Sequence, residues 1–270
     1  MQDRNPELGA MGTKFFAYMQ MKGLEIVHTG QLQKPFRISA LQERKLLYRL
    51  NRSGLIFRLL RGVYLVPNHI PPGGFWRPND YLIIARYMAY HKANYYIGGL
   101  TAFNKHGFST QISNQLSVYN DKILGLKDFG GIKIKFYKIA KKYISGFDTL
   151  PIVSQVQTVN IANLAKTILD AINYNKRYQT LPEAYFWLQK YAHDKNFLKN
   201  FIELTYKTAN NNATRRIGYF LEQLGVNKKT LLPLLEKLAS TKGLVALVPN
   251  GSRQGRINKK WGIIDNAQNR

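Results

Sequence analysis

Residues 39–67, SALQERKLLYRLNRSGLIFRLLRGVYLVP, decide the N-terminal part of the fold. The stretch opens on Ser39 with Gln42 three residues later, a capping-box pattern that predicts the start of a helix. The helix is expected to end at the Ser-Gly pair that follows residue 52. Two apolar, β-prone runs come next, Leu55–Leu60 and Val63–Val66, and Gly62 between them supplies the positive φ of a tight turn. The stretch therefore predicts a helix followed by a β-hairpin.

Two further helices are predicted upstream of this stretch. The first runs from Thr13, as its cap, to about Lys22, and it buries Phe15, Phe16 and Met19. Residues 29–36 leave room for a short second helix, which Pro35 limits. Three helices followed by a hairpin is the order of a winged helix-turn-helix. We therefore predict an α+β fold, with an N-terminal winged helix-turn-helix over residues 1–70 and a larger mixed α/β domain after it.

A segment rich in proline and glycine, residues 70–78, interrupts the periodicity and predicts a linker over 71–78. The second domain is then expected over 79–270, with a sheet part near 79–160 and a helical part near 161–240. Its strands are predicted at Gln115–Asn120, Ile132–Ile139 and Ile152–Val159, with a closing pair at 244–248 and 261–264. Helices are predicted from Asn79 to about His91, between Gly98-Gly99 and Gly107, and near 161–173, 181–193, 196–208, 213–224 and 228–240.

The polar side of the helix that starts at Ser39 is the main candidate site. At about 100° per residue, its cationic and amide side chains fall on one arc, and its leucines fall on another. Arginine and lysine neutralise phosphates, and arginine and glutamine also read guanine and adenine edges, which favours contact with duplex DNA. Basic side chains on the hairpin would lie along the DNA backbone or minor groove. The candidate DNA-binding residues are Gln42, Arg44, Lys45, Tyr48, Arg49, Arg52, Arg58 and Arg61.

The charge balance supports a polyanionic partner. The chain has 40 Lys+Arg against 15 Asp+Glu, a formal net charge of +25, and the excess is spread along the whole sequence. Such a charge repels itself in the folded state and is typical of proteins that bind nucleic acid. A generally basic proteome would also produce a high net charge, and a basic amphipathic helix can be an ordinary solvated surface helix. Both alternatives stay open.

Composition also bears on location. The chain has no cysteine, which excludes a disulfide framework and a thiolate metal site. It has no apolar run long enough to cross a bilayer and no secretory signal pattern at its start. We therefore expect a cytoplasmic protein without a membrane partner.

Three stretches resemble the AbiEi family of antitoxins from type IV toxin–antitoxin systems. Residues 61–67, RGVYLVP, are similar to the end of the basic hairpin in that family. Residues 96–108, YIGGLTAFNKHGF, resemble its helix-and-glycine segment, and residues 159–171, VNIANLAKTILDA, resemble the strand-to-helix junction that follows. The resemblance extends over about residues 13–250.

The resemblance implies a protein of the bacterial cytoplasm with a function in two parts. The winged helix-turn-helix would bind inverted repeats in double-stranded DNA of its own promoter and act as a transcriptional autorepressor. The larger domain would act as the antitoxin of a phage-defence system and oppose an AbiEii-like nucleotidyltransferase toxin without forming a stable complex with it. Among the basic residues of that domain, Arg215 and Arg216 are candidates for antitoxicity or for a second DNA contact.

Catalytic interpretations are weaker, and we expect no catalytic residue, metal or cofactor. The five histidines lack metal-ligand spacing, and His106 is expected to close its short helix. Gly251-Ser252 resembles a nucleotidyltransferase opening, but no carboxylate follows before Asp265. A metal-dependent nuclease would need an acid where strand 132–139 has Lys133. An RNA-binding regulator, with tyrosines stacking on bases, is the non-enzymatic alternative.

Overall fold

The computed structural model describes residues 8–70, 74–111, 114–152, 157–251 and 254–267. Helices and strands are both abundant in these residues, and the strands form three sheets, so the chain has the expected mixed α+β character. The chain divides into two compact units. The first comprises Met1–Tyr90 with Phe129–Gly131, and the second comprises His91–Asp128 with Ile132–Arg270.

The first unit combines four helices with a three-stranded sheet among its described residues. Strand β3 is central and pairs antiparallel with both β1 and β2. The hairpin was predicted, whereas β1 was not, because three residues are too few to show an alternating pattern. The elements are α1 (Gly9–Met21), β1 (Ile26–His28), α2 (Gln33–Phe36), α3 (Ala40–Arg52), β2 (Phe57–Leu60), β3 (Val63–Leu65) and α4 (Asp80–Tyr90).

One apolar core holds the first unit together. The predicted stripe of α1 is confirmed, since Phe15, Phe16 and Met19 are all buried in this core with the leucines of α3. The predicted start of α1 at Thr13 is wrong, because the helix begins at Gly9. The Thr13 hydroxyl donates to the Gly9 carbonyl at 3.3 Å, which is how a threonine inside a helix satisfies its side chain.

A six-stranded mixed sheet forms the first half of the second unit. The strand order is β6-β7-β5-β4-β9-β8; β5 pairs parallel with β7, and β4 pairs parallel with β9. Antiparallel pairs join β4 to β5 and β8 to β9. The elements are β4 (Tyr95–Gly98), α5 (Leu100–Lys105), β5 (Gln115–Asn120), β6 (Gly125–Phe129), β7 (Ile132–Lys138), β8 (Phe147–Pro151) and β9 (Thr158–Ala162).

Helices dominate the rest of the second unit, as predicted. They pack around a core that includes Trp261, which is fully buried. The predicted closing strands do pair, as β10 and β12 in parallel, with β11 on the other side of β12. The elements are α6 (Leu164–Asn173), α7 (Asn175–Tyr178), α8 (Glu183–Tyr191), α9 (Lys195–Thr208), α10 (Asn211–Gln223), α11 (Lys228–Leu238), β10 (Val245–Ala246), β11 (Arg256–Asn258) and β12 (Ile263–Asp265).

Two sequence-based boundaries differ from the structure. The single strand predicted at Ile152–Val159 is wrong: Ile152 directly follows β8, Val159 lies in β9, and residues 153–156 are outside the described residues. Ile152 and Val159 are both apolar, so the end of β8 and the start of β9 resembled one continuous strand. The linker prediction covers residues 71–73, which are also not described, and helix α4 belongs by its contacts to the first unit.

Gly218 of α10 tests how tightly the second unit is packed. A Cβ at this position would overlap the six-membered ring of Trp261. We expect Gly218→Ala to lower the free energy of unfolding by about 1–3 kcal/mol, because an overpacked core must shift backbone or rotamers. Urea unfolding followed by circular dichroism measures the change, with Gln223→Ala, at an exposed position of the same helix, as control. Equal stability of the two variants would contradict this packing.

Among the described residues, none of the helices combines the length and the apolar character needed to cross a bilayer.

Candidate nucleic-acid interface

Helix α3 is held at its start by the predicted capping box. The Ser39 hydroxyl accepts from the Gln42 backbone N–H at 3.3 Å, and the Gln42 carboxamide oxygen accepts from the Ser39 backbone N–H at 2.8 Å. Two backbone donors that a helix start would leave without partners are thereby satisfied. Because the Gln42 oxygen already accepts a hydrogen bond in the cap, its amino group is the part of this side chain that can donate to a ligand.

The two faces of α3 are separated as the periodicity predicts. Leu46, Leu47 and Leu50 are buried in the core of the first unit. The predicted contact residues on the opposite side are all exposed, and Tyr48 is 63% exposed. These exposed residues are Gln42, Arg44, Lys45, Tyr48, Arg49 and Arg52.

The cations of this face are not neutralised by neighbouring acids. Lys45, Arg49 and Arg52 form no ion pair with any residue that the structure describes. Arg44 donates from its Nε to the Ala40 carbonyl at 3.3 Å, which lays its side chain along the first turn of the helix. The face therefore presents positive charge that an anionic partner would neutralise.

The hairpin carries the two other predicted basic residues. Arg58 on β2 and Arg61 in the turn are both exposed. Gly62 has a φ of 77°, which confirms the reason for a glycine in this turn. Asn51 of α3 accepts from the Arg58 backbone N–H through its side-chain oxygen at 2.9 Å. This bond fixes the hairpin against the end of the helix that carries the other cations.

Glu43 is the residue of this region that sequence reasoning missed. Its carboxylate is fully buried and accepts from the backbone N–H groups of Gly30 and Leu32, at 2.7 and 2.8 Å, and from the Gln33 side chain at 3.1 Å. It thereby ties the segment before α2 to α3. The signal was present in the sequence, because Glu43 has the helical spacing of the buried leucines rather than that of the cations.

Arg215 and Arg216, proposed from the sequence as contact residues, are both 6% exposed. The Arg215 guanidinium donates to the carbonyls of Trp261 and Thr241, at 3.0 and 2.9 Å, and to the Thr241 hydroxyl at 2.7 Å. Its donors are engaged inside the second unit, which argues against a role in binding DNA. Arg216 lines a cleft of the second unit.

The second unit also buries an ion pair. Lys166 and Asp170 lie 3.0 Å apart and are each 1% exposed, and the Tyr96 hydroxyl donates to Asp170 at 2.8 Å. Burial raises the pKa of the Asp170 carboxyl, and the positive charge of Lys166 opposes that rise. No solvent reaches this pair, so we interpret it as a structural element rather than a reactive site.

The remaining chemistry-bearing residues are dispersed. Among the described residues, no three or more His, Asp or Glu side chains are grouped so that they could hold a metal ion. His106 caps the end of α5, as predicted, and its Nε2 is 3.0 Å from the Ala162 carbonyl. Ser252 of the Gly251-Ser252 pair is outside the described residues.

Comparison with known proteins informs the fold alone. No protein-family model and no curated protein matches the chain. Among solved structures, the chain is similar to the RV2827C protein from Mycobacterium tuberculosis, with a TM-score of 0.61 and 12% sequence identity. The similarity covers 97% of this chain and 93% of that one, so the two proteins share their architecture over nearly their whole lengths.

Proposed function

We propose that the chain is a sequence-specific DNA-binding protein and that its first unit contains a winged helix-turn-helix. In this proposal α2 and α3 are the two helices of the motif, joined by the three residues 37–39. Helix α3 is the recognition helix, which enters the major groove, and the hairpin β2–β3 is the wing.

The observation that carries the proposal is the exposed and unneutralised basic edge of α3. Lys45, Arg49 and Arg52 share this edge, and Arg58 and Arg61 add cations on the adjoining hairpin. A double helix carries a negative charge about every 1.7 Å along its axis, so such an arrangement gains affinity by releasing counterions. Arginine side chains on the same edge add hydrogen bonds to guanine, which provide sequence discrimination.

The physiological part of the proposal rests on the sequence resemblance. We propose that the protein binds inverted repeats upstream of its own operon and represses it, and that it acts as a type IV antitoxin. The functional partner would be a nucleotidyltransferase-like toxin, opposed without a stable complex between the two proteins. In this proposal autorepression depends on the basic edge of α3 and on the adjoining hairpin, whereas antitoxicity is assigned to the second unit.

A reporter fused to the protein's own upstream region tests this function. Supplying the wild-type protein in trans should lower reporter expression about tenfold or more, and scrambling the inverted repeats should restore it. The variant with Lys45, Arg49 and Arg52 replaced by Ala should not repress. Co-expression with the product of the neighbouring gene, scored by growth, tests antitoxicity separately. Full expression in the presence of wild-type protein would refute autorepression.

A further inference from the structure

The second unit contains a cleft whose positive charge is not balanced by any acidic residue in its lining. It has a volume of about 560 Å³ and lies between the end of α6, the short helix α7 and the start of α10. Three of its lining residues are cations, namely Lys176, Arg177 and Arg216, and none is an acid. Most of the other lining residues are asparagines. Asn173 and Asn210 are hydrogen-bonded to each other, and Asn175 donates to the Ile172 carbonyl. Among the described residues, no side-chain partner is found for Asn212.

Arg216 is the unusual member of this set. Only 6% of the residue is exposed, yet it forms no ion pair with any described residue. Its Nε donates to the Ala246 carbonyl at 3.1 Å, and no described residue accepts from its two terminal amino groups. The two amino groups are not among the fully buried atoms without a partner, and Arg216 lines the cleft, so they face this space. A largely buried charge without a counter-ion is costly, and an anion in the cleft would lower that cost.

Burial lowers the pKa of the Arg216 guanidinium, which expresses the same energetic cost. Arg216 has only one hydrogen bond to a described residue to offset this desolvation. Arg215 differs, because backbone carbonyls and a hydroxyl accept from its terminal amino groups. The two neighbouring arginines of α10 therefore have different roles: Arg215 holds the fold, and Arg216 is left available to the cleft.

The start of α10 adds a second source of positive potential. Asn210 caps this 13-residue helix by accepting from the Ala213 backbone N–H at 2.9 Å, and Asn212 in the first turn lines the cleft. The first N–H groups of a helix and its dipole favour an anion at this end. The helix start and the buried guanidinium border the same cleft.

Another part of the cleft combines Arg177 with aromatic rings. The Arg177 guanidinium lies 3.7 Å from the centre of the Tyr137 ring and 4.8 Å from that of Tyr174, and it donates to the Tyr119 hydroxyl at 2.9 Å. Tyr174 lines the cleft beside it. A flat surface made of an arginine and an aromatic ring is suited to stacking a planar base.

We propose that this cleft binds a nucleotide, with Arg216, Lys176 and the start of α10 holding its phosphates. Inorganic phosphate would use the cations but would leave most of a 560 Å³ space empty, and that volume lies within the usual range for small-molecule sites. The Asn212 amide and the wall formed by Arg177 and Tyr174 would contact the base and the sugar. This proposal is independent of DNA binding by the first unit.

The test is calorimetric titration of the full-length protein with ATP, GTP, CTP and UTP, and separately with inorganic phosphate. The protein used carries Ala at positions 45, 49 and 52, so that binding at the DNA face does not contribute. The four nucleosides are titrated in the same way. We expect one site per chain, tighter binding of at least one triphosphate than of its nucleoside, and weaker binding of inorganic phosphate. The proposal would be overturned if none of the four nucleotides showed saturable binding.

Variants then locate the site. In that background, Lys176→Ala and Arg216→Met should each weaken nucleotide binding about tenfold or more, as expected for a lost charge-assisted hydrogen bond. Lys190→Ala, an exposed lysine outside the cleft, should leave it unchanged. If Arg216→Met fails to fold, the exposed Lys176 carries the test. Equal affinities in the Lys176 and Lys190 variants would show that the nucleotide binds elsewhere.

A stability measurement distinguishes a binding role of Arg216 from a purely structural one. Without ligand, Arg216→Met should melt at or above the temperature of the parent protein, because it removes an uncompensated buried charge. Added nucleotide should then raise the melting temperature of the parent and not that of the variant. A large loss of stability without ligand, together with a full nucleotide-induced shift, would contradict the assignment.

Discussion

Replacing Lys45, Arg49 and Arg52 together with Ala is expected to weaken binding to duplex DNA by at least about 100-fold. The three side chains are exposed on one edge of α3 and unneutralised by described acids, so their removal leaves the buried face of the helix intact. Loss of an arginine contact to a base costs about 1–3 kcal/mol, and each lost phosphate contact lowers affinity further. Fluorescence anisotropy with a labelled duplex from the protein's own upstream region measures the change.

A charge-matched control separates local contact from overall attraction. Replacing Lys190, Lys199 and Lys228, three exposed lysines of the second unit, removes the same net charge and should change affinity less than about threefold. The slope of log K against log salt should fall by about 2 to 3 in the α3 variant only, since fewer counterions are released. Similar losses in both triple variants would mean that the bulk charge, and not α3, drives binding.

Replacing Glu43 with Ala is expected to destabilise the first unit by about 3 kcal/mol or more. The change removes the acceptor for the backbone N–H groups of Gly30 and Leu32 and leaves these donors without partners. Each buried group left unsatisfied costs about 1–3 kcal/mol, and the lost bonds are charge-assisted. Urea unfolding followed by circular dichroism measures the loss, which should appear as an early transition of the first unit.

Glu43→Gln should fall between wild type and Glu43→Ala, because the amide keeps one acceptor oxygen but places an NH₂ group beside the donors. Glu236→Ala, at an exposed position of α11, is the matched control and should stay within about 0.5 kcal/mol of wild type. A cost of less than about 1 kcal/mol for Glu43→Ala would show that Glu43 does not hold the segment before α2 against α3.

In the first unit, the features that depend on short-range sequence patterns were predicted from the sequence. The capping box at Ser39 and the two arcs of α3 follow from residue types and a fixed helical period, and both are found. Strand β1 was missed because its place depends on pairing with β3, which is distant in sequence. The burial of Glu43 was overlooked because an acid on a charged helix is usually exposed.

The second unit shows what a single sequence does not specify. Its longer helices, α6 and α8 to α11, were predicted within a few residues, since their apolar stripes are long. The four-residue helix α7 was not predicted, because it is too short to show a helical period. The sheet order was not predicted, because it depends on strand pairs that are distant in the chain. Ile97 of β4, for example, pairs with Ile161 of β9, more than 60 residues later. The contrast between Arg215 and Arg216 is likewise invisible in sequence, because adjacent residues differ only in which tertiary partners surround them.

Site-specific photo-crosslinking tests the central claim most directly. Tyr48 flanks the basic edge of α3 and is 63% exposed, so p-benzoylphenylalanine can replace it without removing a cation. Phe186 of the second unit, 66% exposed, is the matched control position. Irradiation with the labelled duplex should give a protein–DNA adduct from position 48 that unlabelled duplex suppresses, and little from position 186. An adduct from position 186 without one from position 48 would contradict the assignment of α3 as the DNA-reading helix.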